Sequence, residues 1–264
     1  MSLRGPPNVF HSQVLPRLLA APAELILDAL PPLQPQFRFL EVGAGGGVVA
    51  RALVERIAGL GRLIAVDDDA VLAAALPAGA RRAARAVAAL PALPFAPGAF
   101  DVAIANLVLG DADHDVPRLA ELRRVVRPGG WLLATVALRG SFDELFDLLA
   151  EACEATQLLT QKTASQEARA ALPDDDALRL RFADAGFTVQ TFGVEDRLLA
   201  LSDGASLVDD PLVREVLLPA LTGAPLPESA SQALARAADT WFKDGMPLRV
   251  RTGIVVARVD KAKA

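Results

Sequence analysis

Phe37-Arg38-Phe39-Leu40-Glu41-Val42 runs without a break into Gly43-Ala44-Gly45-Gly46-Gly47, and that join decides the fold. Six residues dominated by Phe, Leu and Val read as a short buried strand. Behind the glycines, Val48 to Ile57 has helical spacing, with Gly59 and Gly61 placed to stop it. Strand, glycine loop and helix in that order form the first half of a βαβ unit. Glycine adopts backbone conformations closed to other residues and lets a ligand come close to the main chain. The helix start behind the loop adds unpaired N–H groups. The stretch therefore reads as a ligand cradle rather than a bare turn.

Working outward, Arg62-Leu63-Ile64-Ala65-Val66-Asp67 reads as a second strand ending in acid, followed by an alanine-rich helix over about 69–76 and a third strand at Ala83–Val87. Phe100 to Asn106 is the clearest strand. Val116 to Val126 returns to helical spacing, with Leu119, Leu122, Val125 and Val126 on one side. Pro128-Gly129-Gly130 is expected to end that helix and turn into a strand at Trp131–Val136. Strands that alternate with helices indicate parallel crossovers, and continuously apolar strands indicate a sheet covered on both faces. Past Gly140 the chain turns helical, with Phe142, Leu145, Phe146, Leu149 and Cys153 on one stripe. Pro173-Asp174-Asp175-Asp176 reads as a helix start. A sixth strand is expected at Phe187–Phe192 and a seventh at Val250–Val259, with a mostly helical insert, 205–245, between them. The predicted fold is α/β, a doubly wound, mostly parallel seven-stranded sheet with a helical insert before the last strand. Residues 1–36, helical from about Pro16 to Leu30, are expected to form an N-terminal lid segment, and 37–264 a single α/β domain.

Composition narrows the function. Of 264 residues, 52% are hydrophobic and 22% charged, too apolar for a disordered chain. The formal net charge of −5 gives no electrostatic footprint for nucleic acid. A single Cys makes an internal disulfide impossible and points to a reducing compartment, so the chain is expected in the cytoplasm. No stretch has the roughly 18–20 uninterrupted apolar residues of a membrane span, and the N-terminal apolar segment is broken by Pro16, Arg17, Pro22 and Glu24, unlike a signal peptide. The absence of Tyr excludes any mechanism that needs a phenol.

A dinucleotide fingerprint, G-x-G-x-x-G from Gly43, would need glycine at 48, where this chain has Val48. Together with the missing tyrosine, that argues against a nicotinamide-dependent oxidoreductase. The pattern present is E-x-G-x-G-x-G from Glu41 to Gly47, and it resembles motif I of the class I S-adenosylmethionine-dependent methyltransferases. Asp67, some 20 residues beyond the loop, lies where that family has an acceptor for the ribose hydroxyls. Leu93-Pro94-Phe95-Ala96-Pro97-Gly98-Ala99-Phe100-Asp101 is similar to the family's run into its fourth strand, and Arg123 to Leu132 to its helix-to-strand segment before the fifth. The resemblance spans residues 37–137 in the family's order.

The resemblance implies S-adenosylmethionine as cofactor, bound at the carboxyl ends of the strands by Glu41, Gly43, Gly45, Gly47, Asp67, Asp68 and Asn106. Many relatives have an acid after strand three for the adenine amino group; here Ala88 or Ala89 stands there, leaving backbone groups around Leu90 to hold the base. After Asn106, where relatives carry a polar or aromatic residue, the chain reads Leu107-Val108-Leu109-Gly110. Those departures keep a second reading open, a methyltransferase-fold protein that binds cofactor or acts as a scaffold without transfer. No catalytic residue and no metal ligand set is identified, since methyl transfer by in-line displacement needs alignment more than a base.

Among other polar candidates, Asp111, Asp113, His114 and Asp115 could hold a metal or a base, but read more simply as a solvated loop with a helix cap. His11 reads as a surface residue of the N-terminal segment. Arg81-Arg82-Arg85 and Arg123-Arg124-Arg127 read as helix-spaced basic faces, and Cys153 as core. The expected activity is methyl transfer to a small or carrier-bound acceptor, apolar or acyl-bearing. The order of helix, sixth strand, insert and seventh strand is similar to that of malonyl-carrier-protein methyltransferases. Leu207, Val208, Leu212, Val213, Val216, Leu217 and Leu221, then Leu234, Ala237, Ala238, Trp241 and Phe242, form two apolar stripes of the insert that either bury or roof the site.

Overall fold

The computed structural model describes residues 5–57, 61–75, 83–243 and 246–260. A helical start, Pro7–Val9, leads into a π-helical segment, Phe10–Leu19, and then α1 (Ala20–Asp28). There follow β1 (Phe37–Val42), α2 (Val48–Ile57), β2 (Gly61–Asp67), α3 (Ala70–Ala75), β3 (Ala83–Val87), β4 (Phe100–Leu109), α4 (Ala112–Val125) and β5 (Val126–Ala137). The remainder is α5 (Asp143–Ala155), α6 (Leu159–Ala171), α7 (Asp175–Asp184), β6 (Phe187–Leu201), α8 (Gly204–Asp209), a π-helical turn Val213–Leu217, α9 (Leu218–Thr222), α10 (Glu228–Trp241) and β7 (Met246–Val259). No described helix is long and apolar enough to cross a membrane. The expected stop at Gly59 and the pair Arg81-Arg82 lie outside the described residues.

The described chain forms two compact units. The larger comprises Leu18–Val136, Asp174–Val194 and Thr252–Ala264 and is organised by the sheet, whose strand order is β3-β2-β1-β4-β5-β7-β6. β1 pairs in parallel with β2 and β4, β2 with β3, and β4 with β5, as alternation with helices requires. β7 runs against β6: Thr188 donates to Asp260, and Gly193 lies beside Ile254. Phe37 and Phe39 on one face of β1 pack under Ile26 of α1 and Val49, Leu53 and Ile57 of α2, which makes the βαβ start a closed core. The family-like flanks are pinned by arginines: Arg124 bonds the carbonyls of Leu93 and Phe95 and pairs with Glu121, while Arg127 pairs with Asp101 at 2.6 Å.

Three expectations are corrected here. β5 begins at Val126, ahead of Pro128-Gly129-Gly130, instead of after it. Val126 pairs with Phe100, the ladder then shifts register, and at Gly130 a Cβ would stand 2.8 Å from the Asp101 carbonyl, so glycine lets the strand continue through the irregularity. Arg85 lies in β3, not on a helix. Arg127 lies in β5, not on the helix with Arg123 and Arg124, and pairs with Asp101, as Arg124 does with Glu121.

The smaller unit comprises Met1–Arg17, Ala137–Pro173 and Glu195–Arg251. Its helices α5 and α6 pack together, α10 packs on α5 and α8, and α9 on α6. Gly204 shows why α8 starts as it does, because a Cβ there would meet the Ala235 carbonyl oxygen at 2.0 Å. Only glycine allows that contact with α10. The stripe from Phe142 to Cys153 is buried, as are Leu207, Leu212, Val213, Val216, Leu217, Leu221, Leu234, Ala237 and Ala238. Both insert stripes are therefore mainly core of this unit, with Val208 and Phe242 half-buried and Trp241 51% exposed. Arg17 holds Asp210 through both carboxylate oxygens at 2.8 Å.

Candidate functional site

Strand register assembles one row of residues in the larger unit. Val42 lies opposite Val66 on one side and Ala105 on the other, so the next residues, Gly43, Asp67 and Asn106, meet at the carboxyl ends of β1, β2 and β4. Asp67 in turn lies opposite Val87, which brings Ala88, Ala89 and Leu90 to the same edge, and Ala88 N–H donates to the Asp67 carbonyl. This edge, beside the change of direction between β1 and β4, is where open α/β sheets bind ligands.

The loop between β1 and α2 is held from below. Gly43, Gly45 and Gly47 have φ of +62°, +51° and +77°, the left-handed region that favours glycine. Asp67, 3% exposed, accepts from Gly45 N–H at 2.8 Å through one carboxylate oxygen and from Asp69 N–H at 2.9 Å through the other. Ala44 N–H donates to the Val66 carbonyl and Gly47 N–H to that of Ala44. At Gly43 a Cβ would also stand 2.5 Å from Cγ2 of Val108. Gly43→Ala should therefore lower stability by about 1–2 kcal/mol through strain and crowding, read as a lower denaturant midpoint; an unchanged midpoint would show that the loop is not so constrained.

Glu41 is the electrostatic anomaly. It is 2% exposed, its Oε2 has no hydrogen-bond partner, and burial together with the Asp67 charge pushes its carboxyl up to about 8. A buried carboxyl with an unused oxygen is costly unless something pairs with it. A cationic group arriving at the loop would supply that partner.

At the end of β4 the ladder breaks. Leu107 has φ +55°, a conformation unfavourable for a branched residue, and the register shifts between Asn106 and Leu109. Thr135 of β5, opposite Asn106, stabilises the break by accepting from Leu107 N–H at 3.1 Å and donating to Asn106 Oδ1 at 2.6 Å. Asn106 Nδ2 donates to the Leu19 carbonyl at 3.2 Å.

Of the expected cofactor residues, Gly43, Asp67, Asp68, Leu90 and Asn106 lie along this edge and Gly45 and Gly47 in the loop over it, while Glu41 is buried within β1, opposite Ala65 and Ile104. The acid–histidine cluster does not join them as a metal centre, and no metal-binding group is present among the described residues. Asp111 caps α4 and contacts His114 Nδ1 at 2.9 Å, in keeping with a helix cap. Asp115 departs from the solvated reading: it is 1% exposed, accepts from Gly110 N–H and pairs with Arg181 at 3.1 Å, and burial raises its carboxyl despite those donors. Thr135 was not foreseen; its only signal is a lone polar residue in the apolar run Trp131–Val136.

Residues 40–134 match the family model described as a methyltransferase domain. No curated protein is similar to the chain at a significant level. Solved structures share the fold. A protein from Bacillus halodurans assigned as a methyltransferase has a TM-score of 0.62 at 15% identity, over 90% of this chain and 99% of that one. Geranyl diphosphate C-methyltransferase from Streptomyces coelicolor, solved with Mg2+, geranyl diphosphate and S-adenosyl-L-homocysteine, has a TM-score of 0.54 at 16% identity, over 93% and 82%. The [4+2]-cyclase SpnF has 0.52 at 17% identity, over 91% and 81%.

Proposed function

We propose, for a chain whose residues 40–134 are a methyltransferase domain of the class I, S-adenosylmethionine-dependent family, that the β1–α2 loop holds the cofactor and the acceptor is a small, apolar or acyl-bearing molecule. The observation that carries this reading is the glycine loop with three left-handed positions, clamped from the next strand by Asp67, over the buried and unpartnered Glu41. These residues fit a ligand with a cationic amino acid end and a ribose. When bound, the sulfonium supplies an activated methyl group. Glu41 would meet the ammonium group; Asp67 and Asp68 would take the ribose hydroxyls; Gly43, Gly45 and Gly47 give the backbone room for close approach; backbone groups near Leu90 would take the adenine. Asn106 would complete the site from β4. The chain's contribution is alignment and exclusion of water rather than proton transfer.

An acceptor with an apolar part is supported by the geranyl diphosphate enzyme, whose ligand joins an apolar chain to an anionic diphosphate, and by the apolar residues Leu107, Val108 and Leu109 after Asn106. A net charge of −5 supports a small-molecule or carrier-bound acceptor over nucleic acid. The single Cys153, buried and with its thiol raised by burial, supports a cytoplasmic setting. The second reading, binding without transfer, is supported by Ala88 and Ala89 in place of an acid and by the fold's occurrence in a protein named as a cyclase. Methyl-labelled S-adenosylmethionine offered with lipid, quinone and acyl-thioester acceptors separates the two. Label transfer supports the first reading, and saturable binding with no transfer to any acceptor supports the second.

A further inference from the structure

We propose that Thr135, which lies outside the glycine loop, is a positioning residue that fixes which end of the Asn106 amide the cofactor meets. The inference rests on the cofactor reading above. Thr135 is 0% exposed and sits opposite Asn106 in the β4–β5 ladder. Its hydroxyl has one proton and two lone pairs. The Leu107 backbone N–H can only donate, so at 3.1 Å it takes a lone pair of Oγ1. The hydroxyl proton then goes to Asn106 Oδ1, 2.6 Å away. Together with the Leu19 carbonyl, which can only accept and so takes the Nδ2 end, that bond removes the usual ambiguity between the two ends of an amide. Oδ1 is turned to Thr135, and Nδ2 becomes the end presented elsewhere.

One Nδ2–H is used on the Leu19 carbonyl at 3.2 Å. The other has no partner among the described residues. It is a donor at the carboxyl end of β4, level with Gly43 in the strand register. A donor so placed suits an oxygen acceptor, the carboxylate or a ribose hydroxyl of the cofactor. Without the Thr135 hydroxyl only the Leu19 carbonyl still opposes the amide's turning over to offer Oδ1 to that oxygen, which is repulsive. The same hydroxyl holds Leu107 in its left-handed turn and so steadies Val108, whose Cγ2 fills the space a Cβ on Gly43 would need. Thr135 thus acts on the ligand through two neighbours without touching it.

The test titrates S-adenosylhomocysteine calorimetrically into the full chain as wild type, T135S, T135V, N106A and T135V/N106A, with a thermal melt of each. T135V is expected to lose roughly tenfold in affinity, T135S to restore binding to within about twofold of wild type, and the double variant to be no weaker than N106A alone. If T135V does not fold, T135A takes its place in the same comparison. Wild-type binding with T135V unchanged overturns this proposal alone, as does T135S as weak as T135V, or losses that simply add in the double variant. A wild-type chain that does not bind the ligand overturns the cofactor reading and this proposal with it.

Discussion

Asp67→Ala should lower S-adenosylhomocysteine affinity by about 1.5–3 kcal/mol, roughly 10- to 150-fold, the range for hydrogen bonds to a charged group. The carboxylate does two things that alanine cannot. It accepts from Gly45 and Asp69 N–H groups, setting the shape of the loop, and it is the charged acceptor expected for the ribose. The variant should also lose about 1–3 kcal/mol of stability, because the Gly45 N–H is left buried without a partner. Calorimetric titration paired with denaturant unfolding separates the two losses. A folded variant that binds as tightly as wild type would show that the ribose is held elsewhere, with Asp68 the next candidate.

Glu41→Gln should change how stability depends on pH. In the fold Glu41 keeps its proton up to about pH 8, whereas in the unfolded chain it releases it near its ordinary value of 4.5. Between those values the folded state binds the extra proton, so this carboxyl's contribution to stability falls as pH rises and levels off above about 8. The full span is roughly 3–5 kcal/mol at about 1.4 kcal/mol per unit. Glutamine has no proton to lose, so the stability of wild type relative to the variant should fall from pH 5 to pH 8 and then flatten. Unfolding curves for both chains across that range give the difference directly; a pH-independent difference would mean the carboxyl is not protonated in the fold. If a ligand ammonium pairs with Glu41, binding at pH 7 should also release up to one proton in wild type and none in the variant, measured in buffers of different ionisation enthalpy.

The strand, loop and helix from Phe37 to Ile57 were legible residue by residue, because a buried apolar strand, left-handed glycines and an amphipathic helix each leave a local pattern. The carboxyl-edge row was legible for a topological reason: once the parallel order is known, acids and amides at strand ends must meet. What the sequence did not reveal depends on distant partners. Asp115 looks like one of several loop acids until Arg181, 66 residues away, closes on it. β6 continues from Phe192 to Leu201 through Glu195, Asp196 and Arg197, an edge strand whose run of charges hides its periodicity. The insert's stripes could be seen, but whether they bury or roof a site depends on α5, α6 and α8, and they bury. Trp241 keeps the spacing and still faces solvent, because α10 ends there. Thr135 was invisible because a single hydroxyl in an apolar strand gains its role only from the residue opposite.

The central claim is that the glycine loop after β1 binds an S-adenosyl ligand. Titrating the 264-residue chain with S-adenosylhomocysteine and, in parallel, with NAD tests it most directly. Saturable one-to-one heat with the first ligand and none with the second is the predicted result. Heat with NAD alone, or with neither ligand from a chain shown to be folded, would contradict it.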